Sequence, residues 1–224
     1  MGMNEPKLKS CFKDENHALE IFEKELKQNL SELQKHGLFF SFTTDPMLPE
    51  TINATQNAMY EAALQNVKVK ILTKRADWVD DFIRIVPPRV WIPNVAFGFT
   101  LTGHDELEPN ASTNAERIEA MKKLHDAGFK TWASIEPIVS IGRSLAMIDQ
   151  TVTHCDLYKI GLMSGSNMQK SIAESFIWSV CAKVENLSNA KIYFKDSLLK
   201  TASINREDLP SNCVGRDYNI FREA

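Results

Sequence analysis

The sequence contains no Cys-x-x-Cys pair: its four cysteines, Cys11, Cys155, Cys181 and Cys213, lie far apart along 224 residues. That excludes a zinc knuckle and a local redox motif, and leaves reduced structural thiols as the reading. Neither Gly-x-Gly-x-x-Gly after a strand pattern nor Gly-x-x-x-x-Gly-Lys-Ser/Thr occurs, so dinucleotide and phosphate-cradle readings lose their signature. No His-Glu-x-x-His pair or aspartate cluster is present and the five histidines are scattered, so no protein-held metal is expected. Positive charge is not in excess. With 26 Lys and Arg against 29 Asp and Glu, the net charge of −3 gives no electrostatic case for nucleic acid or a membrane surface, although a local basic patch leaves nucleic acid open. No apolar run approaches the roughly 20 residues that span a bilayer, and the polar N-terminus has no signal-peptide core. A cytoplasmic protein without a membrane partner is expected.

What is present is a recurring alternation. With 43% hydrophobic residues the chain can bury a sizeable core, and no linker or composition break divides it, so 1–224 reads as one domain. Apolar, β-branched or aromatic runs predict strands at Leu38–Thr44, Val67–Thr73, Val95–Thr102, Lys130–Ile135, Asp156–Met163 and Lys191–Phe194. Amphipathic patterns lie between them. Residues 16–35 place Leu19, Phe22, Leu26, Leu30 and Leu33 at helical spacing, with Asp14 or Asn16 as cap, and residues 114–127 repeat the pattern and stop at Gly128. Strand starts recur about every 30 residues, the length of a βαβ unit, so the class is α/β with a parallel sheet, either barrel-like or doubly wound. Residues 15–194 form this body and 195–224 a C-terminal extension whose Leu198, Leu199, Leu209, Val214, Tyr218 and Phe221 can cover an open end or a partner.

In parallel α/β folds ligands gather at the carboxyl ends of the strands. Those ends read Thr43-Thr44-Asp45-Pro46, Thr73-Lys74-Arg75, Thr100-Leu101-Thr102-Gly103-His104, Ser134-Ile135-Glu136-Pro137 and Met163-Ser164-Gly165-Ser166-Asn167. A single such end can simply cap the next helix. Five in succession point to one polar pocket suited to a zwitterionic or hydroxylated small molecule: carboxylates for an ammonium, Lys or Arg for a carboxylate, Thr and Ser for a ribose. Lys74 and Glu136 also offer an acid/base pair for an ordinary barrel lyase or hydrolase.

The segments SFTTDPMLPET, KILTKRAD, FGFTLTGHDELEPNASTNAERIEAMKKLHDAGFKTWASIEPI and YKIGLMSG resemble successive strand ends of radical S-adenosylmethionine proteins, specifically the group containing spore photoproduct lyase. The resemblance covers roughly residues 13 to 165. It implies a partial parallel (β/α) barrel holding S-adenosylmethionine beside a [4Fe–4S] cluster. By position, Thr43, Thr44 and Asp45 would meet the amino acid moiety, Thr100 and Thr102 the ribose, Ser134 to Glu136 the next strand's contacts, and Gly161 to Gly165 the adenine. Thr73 and Lys74 complete the cofactor-binding set. The family's Cys-x-x-x-Cys-x-x-Cys loop is missing. The expectation is therefore a truncated radical S-adenosylmethionine protein without its first strand and cluster loop, inactive as this chain, with the cluster bound only if that segment is present. The alternative is a cluster-free protein that binds S-adenosylmethionine or another small molecule on the same scaffold. A missing first strand would leave the edge of Leu38–Thr44 open, and a homodimer through that edge is expected.

Overall fold

The computed structural model describes residues 9–40, 44–85 and 88–221. The chain opens with helices α1 (Glu15–Gln28) and α2 (Leu30–His36), followed by β1 (Leu38–Phe40), α3 (Ile52–Leu64) and β2 (Val69–Thr73). Next come α4 (Val79–Ile85), α5 (Pro88–Trp91), β3 (Val95–Thr100), α6 (Asn114–Asp126) and β4 (Lys130–Ile138). The final part contains α7 (Ile141–Thr151), β5 (Leu157–Leu162), α8 (Lys170–Leu187), β6 (Lys191–Phe194) and α9 (Asp196–Ala202). Among the described residues the strands form one six-stranded sheet in the order β1-β2-β3-β4-β5-β6, every neighbouring pair parallel.

That order decides between the two sheet architectures left open by the sequence. A doubly wound sheet reverses its strand order and covers both faces with helices, whereas a sequential order puts the crossovers on one side and rolls the sheet into a barrel. This sheet never reverses. It is an open, partial (β/α) barrel, with helices packed on the convex face. There Val69, Ile71, Phe97, Phe99, Ala133, Ile135, Tyr158, Ile160, Ile192 and Phe194 join apolar residues of the helices in the main core.

Local chemistry explains the helix boundaries. Asp14 accepts the His17 amide at 2.8 Å and starts α1, settling the choice between Asp14 and Asn16. The helix expected over 16–35 breaks at Asn29, whose side-chain amide donates to the Glu25 carbonyl at 2.9 Å and competes with the helix ladder. At α6, Thr113 and Glu116 form a reciprocal capping box, and Gly128 at φ +94° carries the chain into β4.

Strand alternation places the other set of side chains on the concave face. Ala96, Trp132 and Leu157 form a second buried cluster with Ile220, and Phe39, Leu72, Tyr193, Val214, Tyr218 and Phe221 pack against it. The C-terminal extension therefore floors the barrel. Around residues 212–214 it also runs beside β6: Ile192 donates to the Asn212 carbonyl and Val214 donates to the Ile192 carbonyl. Leu198 and Leu199, by contrast, belong to the main core.

Candidate functional site

The strand-end residues divide into those that build the rim and those that face its interior. Asp45 is a builder. Its Oδ1 accepts from the Met47 amide at 2.9 Å and the Thr73 hydroxyl at 2.7 Å, and its Oδ2 accepts from the Lys74 amide at 2.8 Å. Thr73, 1% exposed, also accepts the Arg75 amide. Asp45 thus ties the loop after β1 to the end of β2. Thr44 is exposed beside it, and Thr43 lies outside the described residues.

Lys74 does not meet Glu136. Its ammonium pairs with Glu108 at 2.5 Å, and the other Glu108 oxygen takes Arg117 at 2.9 Å. Arg117 is fully buried, so its charge must be satisfied internally: its remaining nitrogens donate to the carbonyls of Ser112 and Thr100. Thr102 accepts the His104 amide and lies 3.5 Å from Glu108. This network anchors the loop after β3. Thr102 therefore belongs with the rim, whereas Thr100 shares the inward alternation of Ala96 and Gly98.

β4 runs further than the sequence predicts. The strand continues through the cis Glu136–Pro137 bond to Ile138 with a register shift, so that Glu136 joins Ser134 inside the strand, on the face of Trp132. Thr100 is the register partner of Ser134, and Ser134 of Lys159. Among the described residues the hydroxyls of Thr100 and Ser134, both nearly buried, make no side-chain hydrogen bond. Glu136 pairs through Oε2 with Lys195 at 2.6 Å, whereas its Oε1 is buried and has no partner among the described residues. Gly161 makes the pairing possible, because a Cβ there would lie 2.7 Å from the Lys195 side chain. Gly165, at φ +76°, supplies the turn in which the Ser166 amide donates to the Met163 carbonyl.

Three interior residues escape a reading confined to strand ends. Lys159 projects over the Trp132 ring at 4.5 Å and the Phe39 ring at 5.7 Å. Lys70 occupies an inward position of β2, in register with Phe39 and Ala96. Burial lowers the pKa of both ammonium groups, and Lys70 lowers that of Lys159 further. Trp132 itself, 2% exposed, has a buried indole N–H without an acceptor among the described residues. The available signal was a lysine at an alternating position inside an apolar strand, as in VKILT and LYKIGL.

The cysteines do not fit a cluster. Cys155 is buried and its thiol is pushed up to about 12, mainly by desolvation, which opposes the thiolate that iron requires. Cys181 and Cys213 lie 3.7 Å apart between α8 and the extension, on the far side of β6 from the concave face, and Cys11 is exposed near the N-terminus. Among the described residues no group of three His, Cys, Asp or Glu side chains is placed to hold a metal. Nor is any helix there long and apolar enough to cross a membrane. Two surface clefts of about 330 and 370 Å³ lie away from the concave strand ends, one beside His125 and Tyr218, the other between Asp77 and Lys123.

A search of solved structures finds Streptococcus suis SuiB at a TM-score of 0.57 and 12% identity, over 85% of this chain and 47% of that one. The fold is shared with SuiB. SuiB bound to S-adenosylmethionine aligns at a TM-score of 0.56 and 12% identity, over 80% of this chain and 45% of SuiB. SuiB bound to the precursor peptide SuiA aligns at 0.59 and 13%, over 87% and 46%. The chain therefore spans about half the length of SuiB. No family model and no curated protein matches the sequence.

Proposed function

We propose that the upper concave face binds S-adenosylmethionine, and that the chain is a relative of the radical S-adenosylmethionine superfamily working in the cytoplasm. The observation that carries this reading is the buried Oε1 of Glu136, on one face with the hydroxyls of Thr100 and Ser134, none of them with a side-chain hydrogen-bond partner among the described residues, in a fold shared with a protein that binds this ligand. A buried acceptor without a donor costs about 1–3 kcal/mol, so a ligand ammonium or ribose hydroxyl stabilises it. When bound, S-adenosylmethionine supplies a sulfonium centre with an amino acid on one side and a nucleoside on the other. Glu136 accepts from its ammonium or hydroxyl groups, Thr100 and Ser134 complete the polar wall, and Thr44 and the turn at Gly165 border it. Asp45, Thr73, Lys74 and Thr102 act one step back, by fixing the loops. The resemblance to the spore photoproduct lyase group rests on the four sequence segments. Because the donor set of this chain does not fit an iron–sulfur cluster, the reading is confined to binding, and no radical step is assigned to these residues.

Calorimetric titration with S-adenosylmethionine tests it. One saturable site is expected, weakened at least about tenfold, or about 1.4 kcal/mol, by Glu136→Gln. Absence of heat, or equal affinity in the variant, would refute the site.

A further inference from the structure

Below the Glu136 level, the inward strand positions carry an excess of donors. Phe39, Lys70, Ala96, Trp132 and Lys159 share the concave face, and Glu136, on the same face of β4, already pairs with Lys195. Lys70 and Lys159 have no hydrogen-bond or ion-pair partner among the described residues, and Lys159 has only aromatic faces beneath it. The Trp132 indole N–H is likewise without an acceptor among the described residues, in a residue only 2% exposed. Gly98 lets that indole lie flat on the sheet: a Cβ there would come within 2.1 Å of the ring.

Such an arrangement has no packing rationale. Half-buried cations that make no ion pair lose hydration, which the nearby Glu136 offsets in part for Lys159, and a Leu or Met would fill either position more favourably. Cation–π contact with Trp132 recovers part of that loss for Lys159, but Lys70 and the indole N–H are left uncompensated. All three groups are donors; none is an acceptor. We propose that Lys70, Lys159 and the Trp132 N–H form an oxyanion receptor on the barrel floor, taking the phosphate or carboxylate of a small-molecule co-substrate beneath the strand-end site. The extension encloses it from below, since Val214, Tyr218, Ile220 and Phe221 pack against the same cluster. The receptor goes beyond the S-adenosylmethionine reading and stands without it.

Pyridoxal 5′-phosphate is a suitable probe, because it is an oxyanion carrying an aldehyde. A neutral lysine amine condenses with that aldehyde to an imine and releases water; borohydride then delivers hydride to the imine carbon, leaving a stable secondary amine that peptide mapping locates. The full chain should be labelled at Lys159 or Lys70 about tenfold faster than at exposed Lys170 and Lys200, since the interior amines lose their protons more readily. Inorganic pyrophosphate and citrate, run as separate arms against chloride of matched ionic strength, should suppress that label, and whichever acts at lower concentration identifies the oxyanion. Trp132→Phe keeps the ring but removes the N–H, and should weaken the protection by pyrophosphate or citrate several-fold while labelling at Lys170 and Lys200 stays as in the parent; undiminished protection takes the indole out of the receptor. Labelling that follows exposure alone, or that neither anion suppresses, overturns the receptor. Suppression by S-adenosylmethionine also overturns it, by assigning the lysines to that ligand. Protection by pyrophosphate or citrate in a chain that fails to bind S-adenosylmethionine leaves the receptor standing and removes only the earlier reading.

Discussion

Replacing Asp45 separates a structural latch from a ligand contact. In Asp45→Ala three hydrogen bonds disappear together: those from the Met47 amide, the Thr73 hydroxyl and the Lys74 amide. Hydrogen bonds to a charged acceptor contribute about 1.5–3 kcal/mol each, and the nearly buried Thr73 hydroxyl has no easy access to water. Asp45 is itself only half-buried, so water replaces part of the loss at the two amides. About 3 kcal/mol for the set is the resulting expectation. In a chain of this size each kcal/mol moves the melting midpoint by about 2–4 °C, giving a fall of about 6–12 °C. Asp45→Asn keeps one acceptor oxygen but turns an amide N–H₂ toward a neighbouring donor, so it should lose about half as much. Scanning calorimetry of the three proteins without ligand is the assay. A direct ligand contact predicts unchanged midpoints and lost binding, so an Asp45→Ala midpoint within about 1 °C of the parent would refute the latch.

Gly98→Ala would force a methyl group to 2.1 Å from the Trp132 ring, and overpacking of this kind costs about 1–3 kcal/mol or more. The variant should melt earlier and show altered near-ultraviolet dichroism; an unchanged spectrum counts against the indole position. His154, 7% exposed and with a buried Nε2 that has no partner among the described residues, has its pKa lowered first by burial and then by His125 and Lys122, with Asp126 and Glu119 opposing. Because the unfolded chain then binds the proton more readily than the folded one, stability is full above about pH 6.5 and declines as pH falls below it. His154→Gln should flatten the decline in melting midpoint between pH 7.5 and 5.5 by a few degrees; an identical slope would rule out His154 as its source.

The strands were legible because burial on both faces of the sheet leaves near-continuous apolar runs, such as VAFGFT, with all six residues buried. Their sequential order was not, since periodicity carries no information about which strand lies beside which. The interruption at Asn29 was hidden for a related reason: Leu26, Leu30 and Leu33 keep helical spacing across it, and only the Asn29 side chain reveals the competition for the Glu25 carbonyl. At the candidate site, strand-end chemistry located Asp45, Thr73, Lys74 and Thr102 without distinguishing rim from interior. The distinction depends on Glu108 and Arg117, which lie in a loop and a helix and are brought to Lys74 only by folding. Pro137 ended the predicted fourth strand too early, because a proline inside a parallel strand is disfavoured. As a result, Glu136 read as a loop residue when it belongs, with Ser134, to the wall.

Because the floor of the barrel comes from residues 212–221, while the sheet above it runs in sequence order, synthesis and closure are out of step. As the chain leaves the ribosome, β1 through β5 can pair in turn, each with the strand just made. Ala96, Trp132 and Leu157 meanwhile present an uncovered apolar patch until the segment carrying Val214, Ile220 and Phe221 has emerged. A translating ribosome thus holds a half-barrel with a sticky underside, the condition in which chaperones and neighbouring nascent chains compete for the same surface. Slow decoding of the codons after β6 would lengthen that exposure, whereas rapid decoding there would shorten it.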